Sequence, residues 1–230
     1  MHRILLWKMG AELAHLKRAL SPRHDKKIYY FAFGANLSQE ILESRKIEVF
    51  EEFDYVLGDA ALRFTRHGFF KNHGFASADP EPGKKVYGKM YLILERDARR
   101  MDYFECVPFI KSHERIIGQA EEFDFFFYRT SRVTPGLKPT REYLDYITNA
   151  YEQMGLVPED YLRDLKATKV LEEFLPHDEP RGLIKHFNRW PQFSWPMLIA
   201  YEKLFVKIVR HTYDKSLFQW TIRNPEILGE

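Results

Sequence analysis

Six consecutive apolar or aromatic positions, residues 28–33 (IYYFAF), are relieved only by two tyrosine hydroxyls. A run of that length and β-branched or aromatic content predicts a buried strand. Gly34 stops it. Ser38 with Ile41 and Leu42 then opens a helical pattern that ends near Arg45, and Asn36 stands where an Asx-type turn or a cap is expected. Further strands are predicted over 55–64, broken by Gly58, over 75–78, and over 85–94, where Gly88 marks a bend or bulge. Two more are predicted over 112–117 and 122–129, the second centred on Phe125, Phe126 and Phe127. Asp79-Pro80-Glu81-Pro82-Gly83 reads as a turn. Helices are predicted over 96–104 and from the Thr140 cap to Met154. Gly155 ends the latter, and Pro158 begins another.

The two ends carry helical periodicity of their own. Leu6, Met9, Leu13, Leu16 and Leu20 recur every three or four residues, so 4–20 predicts an amphipathic helix ended by Ser21-Pro22. Residues 181–187 and 197–209 are also predicted helical. Strands interrupted by short helices, with the longer helices last, give an α+β class and exclude a doubly wound sheet. Three regions are expected: an N-terminal helical extension, 1–27; a domain, 28–168; and a C-terminal extension, 169–230, packed on it.

Composition narrows the function classes. An apolar fraction of 45%, with 19 Phe and 13 Tyr, supplies an aromatic core and excludes a disordered chain. A single cysteine, Cys106, excludes an internal disulfide framework and a multi-cysteine zinc site, which suits a cytoplasmic setting. The most apolar late stretch, 193–209, contains Glu202, Lys203 and Lys207, so no transmembrane segment is expected. Charge is segregated: 1–27 carries seven Lys/Arg against two acids, 181–230 eight against four, and the middle a net of −7. The basic ends read as solvated charge on added helices, with contact to a protein partner or an anionic membrane face as the alternative. No basic cluster with interleaved aromatics is dense enough for nucleic acid, and none is expected as a ligand.

Chemistry concentrates at two places. A strand ending in a glycine-containing loop against a helix start can aim successive N–H groups at a carboxylate or carbonyl oxygen. Gly34-Ala35-Asn36 is such a loop, and it matches neither GxGxxG nor GxxxxGK[ST]. Glu105, set among Phe104, Cys106, Val107, Pro108 and Phe109, is either a surface acid at a helix end or a carboxylate whose pKa is raised by apolar surroundings toward a proton-transfer range. His67, His73 and His113 lack a metal-ligand spacing and read as structural or solvent-facing. Cys106 lacks a His–Asp partner pattern and reads as a small buried hydrophobe.

YFAFGANL at 30–37 resembles the YFAYGSNL signature of the gamma-glutamylcyclotransferase family, departing at Phe33 and Ala35. Met101-Asp102-Tyr103-Phe104-Glu105-Cys106-Val107 is similar to the family's LDxxEGV-like segment. Gly74, Gly83 and the run from Val86 to Tyr91 match intermediate landmarks, and 139–165 resembles its closing helices. The likeness spans about 28–168. It implies a small mixed β-barrel with packed helices, with N- and C-terminal helical additions. It also implies a cofactor-independent, metal-free enzyme that forms 5-oxoproline from a small-molecule L-gamma-glutamyl amine or amino acid. Glu105 would move the proton. Tyr30, Phe33, Gly34, Ala35, Asn36, Leu37 and Tyr128 would bind the substrate. Phe33, Ala35 and Cys106 depart from the pattern, so a catalytically inactive small-molecule or protein-binding module of the same fold is the alternative.

Overall fold

In a computed structural model, the structure describes residues 26–68, 70–105, 107, 113–173 and 175, with isolated positions at 193, 196–197 and 200. The predicted helices over 4–20, 181–187 and 197–209 lie outside the described residues, apart from those isolated positions, as does Cys106.

β1 (Lys27–Ala32) is the central strand of a five-stranded sheet ordered β2-β3-β1-β5-β4. It pairs antiparallel with β3 (Gly74–Leu94) and parallel with β5 (Asp124–Thr130). β2 (Val49–His67) forms one edge and β4 (His113–Gln119) the other. A central strand must bury both faces, which is why 28–33 is apolar without alternation. Successive side chains still part to opposite layers. Phe31 and Phe33 join a core with Phe125, Phe127, α3 (Arg141–Glu152) and Leu165 of α4 (Glu159–Lys166). Tyr30 and Ala32 join a second core with Tyr91, Phe126, Leu42 of α1 (Gln39–Ser44), and Ala98 and Met101 of α2 (Glu95–Phe104).

The expected β-barrel is not what forms. The sheet is open: among the described residues no ladder joins its edge strands β2 and β4. β1 stops at Ala32, and beyond it the first part of β3 approaches the end of β5. There the join is a side-chain bond, from the Thr130 N–H to Ser77 Oγ at 3.1 Å, in place of a strand pair. The sheet curls toward closure without completing a ring.

The segments expected as separate strands over 75–78 and 85–94 are one 21-residue strand, β3, running against the 19-residue β2. The 79–83 run does not reverse the chain. Register passes from Ala60↔Pro80 to Gly58↔Lys85, so Asp59 alone faces four residues of β3. Asp59 is left-handed (φ 53°) and its carboxylate accepts from the Gly83 N–H at 2.8 Å; Gly83 (φ 76°) takes the conformation that only glycine adopts freely. Gly88, expected at a bend or bulge, instead sits in unbroken register opposite Tyr55. A Cβ there would meet the Ala32 carbonyl oxygen at 2.2 Å and the Phe31 ring at 2.6 Å, so glycine is needed for close approach to β1. The Thr140 cap forms as expected, its hydroxyl accepting from the Tyr143 N–H at 3.3 Å.

Candidate active site

β1 delivers its chain into a three-residue 3-10 turn, Ala35–Leu37, entered from Gly34. Leu37 N–H closes the turn on the Gly34 carbonyl at 3.0 Å. The first N–H groups of such a turn have no partner within it. The turn is held from behind. Tyr91 donates to the Leu37 carbonyl at 2.6 Å, and the Tyr151 hydroxyl lies 2.9 Å from the Phe33 carbonyl and 2.7 Å from that of Tyr87. Asn36, buried in the turn, does not cap the following helix. Its amide donates to Tyr30 Oη at 2.6 Å and to Glu105 Oε1 at 2.9 Å, and its oxygen accepts from Arg45 at 2.8 Å.

Glu105 follows the last residue of α2, on a turn fixed by its N–H donating to the Met101 carbonyl at 2.8 Å. Two guanidiniums converge on it. Arg45, just past α1, reaches Oε1 at 3.3 Å. Arg66, near the end of β2, reaches Oε2 at 3.1 Å and donates to the Glu105 carbonyl oxygen at 3.2 Å. His113 Nδ1 lies 2.8 Å from that same carbonyl and 3.7 Å from Oε2, so its hydrogen bond is to the backbone. The Glu105 side chain is 13% exposed, those of Arg45 and Arg66 17% and 16%. Solvent therefore still reaches the ion cluster.

Burial pushes the Glu105 carboxyl up, but Arg66 and Arg45, with His113 and the Asn36 amide, hold it down at about 2. The expected upward shift is thus reversed, because the surroundings are cationic and not apolar. Burial, then Arg66, pushes His113 down to about 3 against the pull of Glu105. The imidazole is neutral at pH 7. It gives Glu105 no ion pair, and Nδ1 carries the proton toward the carbonyl. The cluster at neutral pH is one carboxylate between two guanidiniums. Tyr143 on α3 stands close by: Ala76 N–H donates to its hydroxyl at 3.3 Å, and burial pushes its pKa to about 12.

No family model matches the sequence, and no curated protein does. Solved structures do. A gamma-glutamyl cyclotransferase superposes with a TM-score of 0.53 at 20% identity, over 64% of this chain and 91% of that one. An uncharacterized human protein gives 0.53 at 21%, over 65% and 92%. YkqA from Bacillus subtilis gives 0.53 at 15%, over 70% of this chain and 60% of its own. The fold is gamma-glutamylcyclotransferase-like.

Within this gamma-glutamylcyclotransferase-like fold, the residues singled out in sequence separate into two groups. Tyr30, Asn36 and Glu105 meet through the Asn36 amide. Gly34 lies near, since a Cβ on it would come within 3.4 Å of the Tyr143 hydroxyl, and Ala35 is half-buried on the turn. Phe33 and Leu37 point elsewhere: both side chains are in the core and both carbonyls sit against tyrosine hydroxyls. Tyr128 is behind the cluster. Its hydroxyl donates to Asp102 at 2.8 Å and its ring lies 5.8 Å from that of Tyr30. Arg45, Arg66 and His113 were not expected here. His113 read as structural or solvent-facing, and it is buried against Glu105. The arginines follow a helix and end a strand, positions where sequence carries no periodic signal. Among the described residues no cluster of three or more His, Cys, Asp or Glu is arranged to hold a metal ion, and no helix is long and apolar enough to cross a membrane.

Proposed function

We propose that this chain is a gamma-glutamylcyclotransferase acting on an L-gamma-glutamyl amine or amino acid. The observation that carries the reading is the 2.9 Å bond between Asn36 of the glycine loop and Glu105, which brings the two chemically suggestive segments together across 69 residues. In the reaction the substrate's α-nitrogen attacks its own γ-carbonyl carbon. The new C–N bond closes the five-membered ring of 5-oxoproline, and the old C–N bond breaks. Glu105 takes the proton that the ammonium must lose and delivers it to the departing nitrogen. Ring closure is intramolecular, so holding the reacting atoms together supplies much of the rate. The turn at Gly34, Ala35 and Asn36 offers N–H groups for substrate oxygens and the developing oxyanion, and Tyr30 stands beside Glu105. The protein chemistry invoked uses no cofactor.

One observation favours the alternative, a binding module of the same fold. Both Glu105 oxygens are engaged and its carboxyl is held at about 2, far below the value suited to a base at neutral pH. The deciding experiment is a panel of gamma-glutamyl amines and amino acids, read by mass spectrometry for 5-oxoproline without added nucleotide or metal. Wild type is expected to release it, and Glu105→Gln to be slower by about 10²-fold or more. Equal rates reject the mechanism; ligand binding without product across the panel selects the binding module.

A further inference from the structure

We propose that Arg45 and Arg66 are the receptor for the substrate's α-carboxylate, and that the zwitterionic amino-acid head inserts between these guanidiniums and Glu105. The inference rests on the cyclotransferase reading and adds to it the residues that recognise the head group and the way the base is released. Charge is the first argument. Arg45 and Arg66 bring two guanidiniums to one carboxylate, Glu105. Among the described residues, Tyr30 of β1, Asn36 of the turn and Tyr143 of α3 face it from the other packed elements with neutral polar groups. Asp102, one turn earlier on α2, is engaged by Arg115.

Contact geometry is the second argument. Arg115 grips Asp102 with both prongs, Nε to Oδ1 at 3.0 Å and Nη2 to Oδ2 at 2.7 Å. Neither arginine grips Glu105 that way. Arg45 reaches it with a single nitrogen at 3.3 Å, and Arg66 divides its two nitrogens between Oε2 and the backbone carbonyl. A forked guanidinium binds carboxylate best in the bidentate mode, which Glu105 leaves unused on both. Arg66 is also supported from below, its guanidinium 5.7 Å from the Phe75 ring.

Charge exchange is the third. A base for an ammonium proton must face that ammonium, yet the guanidiniums occupy both Glu105 oxygens. An inserted zwitterion resolves this without leaving a buried charge unpaired: its carboxylate goes to Arg45 and Arg66, and its ammonium to Glu105. With its guanidiniums drawn toward a second anion, Glu105 becomes a stronger base only when substrate is present. The loop itself offers the carboxylate its backbone N–H groups, since Phe33 and Ala35 carry no hydroxyl and the Asn36 amide already donates to Tyr30 and Glu105.

Calorimetric titration tests this, with product release followed in parallel because L-glutamine is itself a gamma-glutamyl amide, using three probes: L-glutamine, L-glutaminamide, which has no free carboxylate, and 5-oxo-L-proline, which has no ammonium. Wild type is expected to bind L-glutamine about tenfold or more tighter than L-glutaminamide. Arg66→Gln shrinks that preference to within about twofold, and Arg66→Lys, which keeps the charge without the fork, retains part of it. Glu105→Gln removes the competing internal carboxylate, so 5-oxo-L-proline binds it several-fold tighter than wild type, the reverse of Arg66→Gln. Thermal melts confirm that each variant is folded, and Arg45→Gln replaces Arg66→Gln if the latter is not. Equal affinity for L-glutamine and L-glutaminamide in wild type, an unchanged preference in the arginine variants, or no binding of 5-oxo-L-proline to Glu105→Gln overturns the proposal. Turnover in the substrate panel with any of those results removes the receptor and leaves cyclotransfer standing. The predicted binding pattern without turnover keeps the receptor and removes cyclotransfer.

Discussion

Asp102 and Glu105 stand three residues apart at the end of the same helix, and their surroundings make opposite demands on them. Asp102 has one cation, Arg115 of β4, and one neutral donor, Tyr128 of β5. Burial pushes its carboxyl up, and Arg115 and Tyr128 recover only part of that. Glu105 draws on the turn after β1, the end of α1, the end of β2 and the start of β4, and its carboxyl falls to about 2. The Asp102 pair is short and bidentate, and it fastens α2 to the sheet. The Glu105 contacts are longer and divided between two guanidiniums. The same residue class on the same helix thus yields an anchor in one place and an exchangeable ion site in the other.

Asp102→Asn puts the contrast to its hardest test. It should lower stability by about 1.5–3 kcal/mol, as a charge-assisted fork is lost while the Tyr128 hydroxyl keeps an acceptor. Turnover should fall by no more than about tenfold, because Asp102 reaches Glu105 through the end of α2 and a through-space charge, with no hydrogen bond to it. Urea denaturation beside the substrate panel measures both. A rate loss matching that of Glu105→Gln would erase the distinction between anchor and site.

Acid titration separates the two groups next. His113 titrates near 6.5 when unfolded and near 3 when folded, so the unfolded chain binds the extra proton between those values. Stability should fall with pH through that window by up to about 1.4 kcal/mol per unit from this residue. Glu105 adds to the loss at lower pH: its contribution is present above about 4.5 and disappears as pH approaches 2. Asp102, raised in the fold, works the other way and gains as pH falls through its folded value. His113→Asn should flatten the slope between pH 6.5 and 4.5, measured by denaturation at fixed pH steps. An unchanged slope would mean that the folded imidazole is not held neutral.

Tyr128→Phe is the mildest change. It deletes the hydroxyl on Asp102 while keeping the ring against Tyr30 and Phe126, and should cost about 0.5–1.5 kcal/mol with turnover within about threefold. A large rate effect would bring Tyr128 from the anchor into the site.

Sequence showed more of the frame than of the site. Residues 28–33 announce a central strand because both faces must be apolar, α2 through α4 follow helical spacing, and α3 begins at its Thr140 cap. The closure of the sheet was not legible, because a ring and an open curl use the same strands; what decides is whether the edges β2 and β4 meet. The merger of two strands into β3 was hidden by prolines and glycine that signal a turn and here form a one-against-four bulge. At the site, Gly34, Asn36 and Glu105 were visible through a local signature. Arg45, Arg66 and His113 were not, since their meeting with Glu105 depends on chain separations of 60, 39 and 8 residues and on no shared period.

The loop that follows β1 is suspended rigidly. Gly88 lets β3 press against the Ala32 carbonyl, Tyr151 stands at the Phe33 carbonyl, and Tyr91 holds the Leu37 carbonyl from a fully buried ring. Those three supports fall within six residues, so the turn behaves mechanically as a fixed jaw. Among the described residues, the side facing the turn carries the two arginines on Glu105, each a long side chain with several torsions. The exchange proposed above is therefore one of side-chain rotation against a fixed backbone turn.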